Sequence, residues 1–256
     1  MMRAVRLTIV ERRAPAPEHV ELMVDAKDLA GRLVPGQFLH VAAGGTLRRP
    51  LSVSRVEGAR LGMLFRVVGA GTAWLAERDV GETVDVMGPL GQGYPPPPPG
   101  PLALVGGGVG IPPLFFYAQR WPDAALSVLL GARDHDSLIM VDDFRGLGLR
   151  PGLCTDDGSR GKRGRVTGLL RDWFLEHPDG SVMACGPAPM LHEVARLTAA
   201  AGRPAWLGFE QRMGCGVGAC LACVVPGAPG GDRVWYRVCT DGPVFARETL
   251  YGEGRP

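Results

Sequence analysis

The chain has 256 residues, length for one large domain or two to three small ones, and 46% of them are apolar, enough to build real cores. A net charge of +2 provides no basic field for nucleic acid. No apolar run reaches the ~18 residues that a membrane span needs, so neither a nucleic-acid partner nor a membrane is expected.

The first 94 residues read as β-rich. MRAVRLTIVERR and HVELMVDA alternate and carry β-branched residues, and LVPGQFLHVAA has a Pro-Gly turn feeding a third strand. RRPLSVSRVEGARLGMLFRVVGAGTAWLA reads as strand, turn, strand, glycine loop and short helix, and VGETVDVMGPLGQGY closes the segment. About six short strands with regular turn signals predict a closed antiparallel β-barrel. RRPLS puts Arg49 and Ser52 on one short strand, where the arginine suits a diphosphate and the hydroxyl a ring or phosphate. GAGT, Gly69 to Thr72, opens the short helix, and a helix start offers free N–H groups to an anion. Singly, each also fits a solvated arginine or a plain turn; together on a barrel they make a phosphate-and-ring site.

Tyr94 is followed by five prolines, Pro95 to Pro99. Such a run joins neither a central strand nor a helix interior, so it reads as a polyproline spacer at a domain boundary. From Pro101 the pattern becomes strand–helix alternation, which implies a parallel α/β sheet with ligands at the carboxyl ends of its strands. The strands are PLALVGG, LSVLLGARD, RPGLCTDDG, SVMACGP and RPAWLGFE, with helices in IPPLFFYAQRW, VTGLLRDWFLEH and APMLHEVARLTAAAG. GGGVGIPP reads G-x-G-x-x-P through Gly108, Gly110 and Pro113. Its glycines admit a pyrophosphate and its proline pre-sets the helical turn; a tight turn without a ligand is the alternative. CGPAPML repeats the design and puts Cys185 at the mouth of the nucleotide cleft, against a nicotinamide or simply as a small buried hydrophobe. Cys154 reads as a core thiol, and the five histidines (His19, His40, His135, His177, His192) form no metal or triad pattern.

The last segment, FEQRMGCGVGACLACVV followed by RVC, holds Cys215, Cys220, Cys223 and Cys239. The spacing C-x4-C-x2-C, then fifteen residues, then C is the plant-type ligand pattern of a [2Fe–2S] cluster. Small residues between the thiols let the backbone wrap the cluster and aim N–H groups at sulfur. A zinc ribbon would want two C-x2-C pairs, and one is present. A disulfide framework would want an exported chain, and MMRA opens no signal peptide, so a reducing cytoplasm is expected.

In order, RPLS, GAGT, GGGVGIPPL and CGPAPML resemble the ferredoxin–NADP reductase superfamily. With the cysteine segment added, essentially the whole chain is similar to the electron-transfer subunits of class 1B, NAD-dependent dihydroorotate dehydrogenases. The resemblance implies a multidomain chain: a flavin-binding β-barrel over 1–94, an α/β NAD-binding domain over 100–205 and a small [2Fe–2S] domain over 206–256. It implies FAD contacts at Arg49, Pro50, Leu51, Ser52, Leu64, Phe65, Arg66, Gly71 and Thr72, and cluster ligation by the four cysteines. It implies a partner catalytic subunit, an FMN-containing TIM barrel in a two-plus-two heterotetramer, where dihydroorotate becomes orotate for pyrimidine synthesis. Electrons would pass through the cluster to FAD and as hydride to NAD+; the preference for NAD over NADP rests on the resemblance alone. Where the superfamily often has tyrosine before the flavin serine, this chain has Leu51. Independently, a (β/α)8 barrel needs ~200 residues or more, and none remain, so the dehydrogenation belongs to another chain. The runner-up is the flavin and iron–sulfur subunit of a sulfhydrogenase or a ferredoxin:NAD(P) transhydrogenase; a zinc-stabilised interaction module is the alternative of another class.

Overall fold

The computed structural model describes residues 3–252; positions 1–2 and 253–256, the outer ends of the first and last expected segments, lie outside the described residues. Seven strands form the first sheet: β1 (Arg3–Ala16), β2 (His19–Asp25), β3 (Phe38–Val41), β4 (Arg49–Ser52), β5 (Arg55–Glu57), β6 (Arg60–Arg66) and β7 (Thr83–Leu90). Two short helices, α1 (Lys27–Ala30) and α2 (Ala70–Ala76), lie between them. All pairings are antiparallel, in the order β4-β3-β7-β1-β2-β6-β5. The expected closed barrel is corrected here: no ladder among the described residues joins β4 to β5. Those edge strands are consecutive in the chain, four and three residues long, and linked only by Val53 and Ser54. They meet end to end, so there is no length over which they can pair side by side. The curled sheet still encloses a core of alternating inward residues, among them Ile9, Leu22, Leu39, Val41, Met63 and Val86.

The second sheet has the order β11-β10-β9-β8-β12-β13-β16. Its strands are β8 (Leu102–Gly107), β9 (Leu126–Ala132), β10 (Gly152–Thr155), β11 (Lys162–Arg163), β12 (Ser181–Cys185), β13 (Ala205–Gly208) and β16 (Val244–Ala246). All pairs are parallel except β13 with β16. Helices α3 (Ile111–Arg120), α4 (Val141–Gly146), α5 (Val166–Glu176) and α6 (Ala188–Ala201) flank it. The central strand β8 is buried throughout, as a parallel strand covered on both faces must be. The chain moves outward from β8 to β9 in one direction and returns as β12 on the other side, which makes the β8–β12 boundary the switch point where ligands bind. The final segment adds the hairpin β14 (Val224–Pro226) and β15 (Trp235–Arg237), then β16 and α7 (Arg247–Tyr251). No helix is long and apolar enough to cross a membrane among the described residues.

Two buried connections fix the sheets to each other. Glu21 on β2, 1% exposed, accepts hydrogen bonds from Ser54 at 2.6 Å and from Arg55 at 2.9 Å, and Arg55 reaches Asp143 on α4 at 2.8 Å. Tyr94 donates its hydroxyl to the Ala184 carbonyl of β12 at 2.9 Å, and Tyr117 donates to the Pro95 carbonyl at 3.1 Å. The proline run therefore starts from a fixed point and is no free tether.

On the outer surface Glu193 of α6 accepts from Arg196 at 2.8 Å and from Arg171 of α5. Arg196 first, then Arg171, holds the Glu193 carboxyl down at about 2. A depressed folded pKa contributes stability that is present above the unfolded value and lost as pH falls through the folded one. Glu193→Gln is thus expected to flatten part of the fall in Tm between about pH 4.5 and pH 2. An unchanged slope over that window would show that the pair contributes nothing.

Candidate functional site

A cleft of ≈ 1980 Å³ runs from the open side of the first sheet to the carboxyl ends of β8 and β12. Ligand pockets commonly measure ~300–1,000 Å³, so this one has room for two extended cofactors. Of the residues singled out in the sequence, Arg49, Pro50, Leu51, Ser52, Leu64, Phe65, Arg66, Thr72, Gly108, Gly110, Pro113 and Cys185 line it. Gly71 does not. It is buried under the Arg49 guanidinium, whose Nε lies 2.7 Å from where a Cβ on Gly71 would sit.

On the flavin side, Arg49 has no acidic partner among the described residues; its guanidinium donates only to the backbone carbonyls of Leu47 at 2.9 Å and Arg48 at 3.2 Å. A cation held over a helix start with no carboxylate to neutralise it fits a diphosphate. The Thr72 hydroxyl accepts from the N–H groups of Val68 at 2.9 Å and Gly69 at 3.2 Å, so it shapes the GAGT turn from within. Leu51 and Phe65 are buried in the sheet core, while Arg66 pairs with Glu18 at 3.0 Å at the rim.

On the nucleotide side, the two glycine turns after β8 and β12 lie against each other. A Cβ on Gly110 would fall on the Cys185 carbonyl, so this glycine serves backbone-to-backbone packing, while Gly108 (φ +53°) faces open space. Burial pushes the Cys185 thiol up to about 12, with the nearby Glu210 charge adding to it. Cys154 is pushed up to about 11, also chiefly by burial. Neither is a thiolate at neutral pH. Iodoacetamide at pH 8 is accordingly expected to spare both in the native protein, read by mass spectrometry of its peptides; rapid labelling of Cys185 would contradict this.

The four cysteines of the last segment lie near β3, where Gly216 meets His40. Among the described residues no group of three or more His, Cys, Asp or Glu side chains is placed to hold a metal ion. Instead the thiols meet two by two: Cys215 with Cys220, and Cys223 with Cys239. One zinc ion would draw four ligands to one point, whereas two irons want two thiolates each. The donor set around them fits as well. Cys215 Sγ accepts from the N–H groups of Val217 at 3.4 Å, Ala219 at 3.3 Å and Cys220 at 3.4 Å, and Cys239 Sγ accepts from Gly218 at 3.1 Å. Those donors, Val217 foremost, lower the Cys215 thiol to about 6, while burial raises Cys239 to about 12. Cys223 and Cys239 pack with Met213, Val225, Val238 and Phe245 in an apolar cluster.

The same cluster includes Phe38 of β3, which also lines the cleft and lies opposite Ser52 in the β3–β4 register. Leu39 and Val41 of that strand point into the first core, so Phe38 and His40 point toward the cysteines. One four-residue strand thus touches both the cleft and the cysteine cluster.

A family profile described as the iron-sulfur cluster binding domain of dihydroorotate dehydrogenase B matches residues 210–251. The electron transfer subunit of dihydroorotate dehydrogenase B (NAD(+)) from Bacillus caldolyticus is 41% identical, covering 94% of this chain and 95% of its own. The chain belongs to this family of electron transfer subunits. The subunit from Geobacillus kaustophilus is 40% identical with the same coverage. Among solved structures, an NADH-dependent reduced ferredoxin-NADP oxidoreductase superposes with a TM-score of 0.85 at 31% identity, covering 95% of this chain and 89% of that one. A ferredoxin reductase of carbazole 1,9a-dioxygenase, 20% identical with a TM-score of 0.69 and covering 79% of this chain and 67% of that one, shares the fold.

As a member of the dihydroorotate dehydrogenase B family, the chain is the electron-transfer subunit of an oxidoreductase. The expected cofactor set of FAD, a [2Fe–2S] cluster and NAD agrees with these likenesses. The sulfhydrogenase and transhydrogenase alternatives are not favoured, because the relatives named above carry the dihydroorotate dehydrogenase name over nearly the whole chain. Sequence reasoning missed Phe38 and His40. The available signal was a histidine inside the apolar run QFLHVAA, two residues from a phenylalanine on the same face.

Proposed function

We propose that this chain carries electrons from a partner's FMN to NAD+, through a [2Fe–2S] cluster held by Cys215, Cys220, Cys223 and Cys239 and an FAD held along β4. The observation that carries the reading is β3, shared by the flavin side and the cysteine cluster. When bound, the cluster supplies one-electron exchange and the flavin joins it to two-electron hydride chemistry. The chain's own residues bind, orient and exclude water. In this reading Arg49 takes the diphosphate, Ser52 faces the ring, Pro50, Leu51, Leu64, Phe65, Arg66 and Thr72 complete the flavin wall, and Gly71 acts from beneath by leaving room for the Arg49 guanidinium. Gly108, Gly110 and Pro113 form the turn for the NAD pyrophosphate, and Cys185 contacts the nicotinamide as a neutral thiol. The division into 1–94, 100–205 and 206–256 follows these three roles, although β16 of the last unit extends the sheet of the second.

The partner is an FMN-containing TIM-barrel catalytic subunit in a two-plus-two heterotetramer in the cytoplasm. Cys220 is exposed beside Val217 and Leu221, with 37% and 59% of their surfaces open, which suits an apolar docking face at the cluster. Affinity purification of the tagged chain from its native cells tests this: a yellow-brown complex with an FMN protein of TIM-barrel size is expected. A colourless preparation lacking acid-labile sulfide sinks the reading. Arg49→Ala is expected to release FAD on gel filtration, on the order of tenfold weaker retention for a lost charge-assisted pair.

A further inference from the structure

His40 lies at the centre of β3, opposite Pro50 of the flavin strand, and is 1% exposed. Neither ring nitrogen has a hydrogen-bond partner. The backbones of Cys215 and Arg48 come within reach of the ring without meeting full hydrogen-bond geometry. The imidazole sits directly under the cluster loop: a Cβ on Gly216 would lie 2.7 Å from His40 Nδ1, and Gly216 has φ +71°, so both the contact and the backbone require glycine there. Buried polar groups are nearly always paired, and each exception calls for an explanation. In every protonation state an imidazole carries at least one N–H donor. A donor on β3, pressed against the cysteine loop and within reach of the Cys215 backbone, has an evident recipient.

We infer that His40 is a positioning residue for electron transfer, its ring N–H donating into the Cys215–Gly216 end of the cluster site and holding that loop against the flavin strand. Holding the loop keeps the N–H groups of Val217, Ala219 and Cys220 aimed at Cys215 Sγ, and hydrogen bonds to the sulfurs favour the more negative, reduced cluster, so the tether also raises the cluster's potential. Phe38, two residues away on the same face, supplies packing but no donor, which separates the roles of the two side chains.

The inference rests on the cluster-and-flavin reading above, and the experiment separates the two. In the purified complex with its catalytic partner, His40→Leu keeps the volume and removes the donor, while His40→Gln keeps an N–H. The cluster's midpoint potential, its electron paramagnetic resonance spectrum and its iron content are measured, with FAD reduction by NADH as the internal control. His40→Leu is expected to lower the reduced-to-oxidised ratio at fixed poise about tenfold, ~59 mV for one electron, and to slow exchange between FAD and cluster while FAD reduction by NADH is unchanged. His40→Gln is expected to restore most of the potential. Iron lost from the leucine variant but kept by the glutamine variant also supports the donor role. A wild-type potential and spectrum in His40→Leu, or equal losses in both variants, overturns it. Unaltered protein without labile sulfide instead overturns the underlying assignment.

Discussion

Replacing Cys220 by serine is expected to abolish the cluster while leaving flavin bound. Cys220 supplies one of two thiols in the pair with Cys215, and serine's alkoxide is a poor substitute for a thiolate that must stay deprotonated on iron. With the proposed ligation, loss of Cys220 would uncover an iron on the exposed side of the loop, where Cys220 faces solvent. Iron and acid-labile sulfide should fall to near zero. The flavin absorbance should persist, because Arg49 and Ser52, the proposed flavin contacts, lie on β4 and not in the cysteine loop. Near-normal iron content would refute the ligand assignment. NADH should still bleach the flavin of this variant, whereas electron delivery to the catalytic partner should vanish.

The second large effect is structural. Arg55→Ala is expected to destabilise the protein by ~3–5 kcal/mol, the usual result of stranding a buried charge. Glu21 is 1% exposed and would keep only the Ser54 hydroxyl as a partner. The same change removes the ion pair to Asp143 and the guanidinium from over the Phe115 ring, 5.0 Å away, so the contact between the first sheet and α3–α4 weakens too. An apparent Tm lower by on the order of 10 °C should be read by differential scanning calorimetry. The double variant Glu21→Gln with Arg55→Met should recover much of the loss, since a buried pair replaced as a whole costs far less than a pair broken in half. A single variant as stable as the parent would mean that water reaches Glu21.

These two results bear on one arrangement. The Glu21–Arg55–Asp143 connection fixes the flavin sheet relative to the nucleotide sheet, and β3 fixes it relative to the cluster. Hydride chemistry needs the first alignment within fractions of an ångström, and one-electron exchange needs the second to be close and dry.

By itself the sequence determined the chemistry of the ends. Four cysteines at plant-type spacing, a G-x-G-x-x-P turn after an apolar run and RPLS on a short strand are local patterns, and local patterns encode what a ligand requires of neighbouring residues. The parallel sheet was legible for the same reason: its strands are continuous apolar runs and its helices begin and end with strong signals, such as Pro112 and Pro113 in the first turn of α3 and left-handed Gly202 after α6. Contacts between residues far apart in sequence were not legible. The closed barrel failed because edge pairing depends on how far a curled sheet must travel, which β4 and β5 do not announce. Gly110 reads in the sequence as part of a phosphate turn, and only the fold shows that it is also where the turns after β8 and β12 touch. Phe38 and His40 looked like parts of an ordinary strand. Only the fold, by placing Gly216 against residue 40 across 176 positions of chain, made that strand the contact between the first sheet and the cysteine loop.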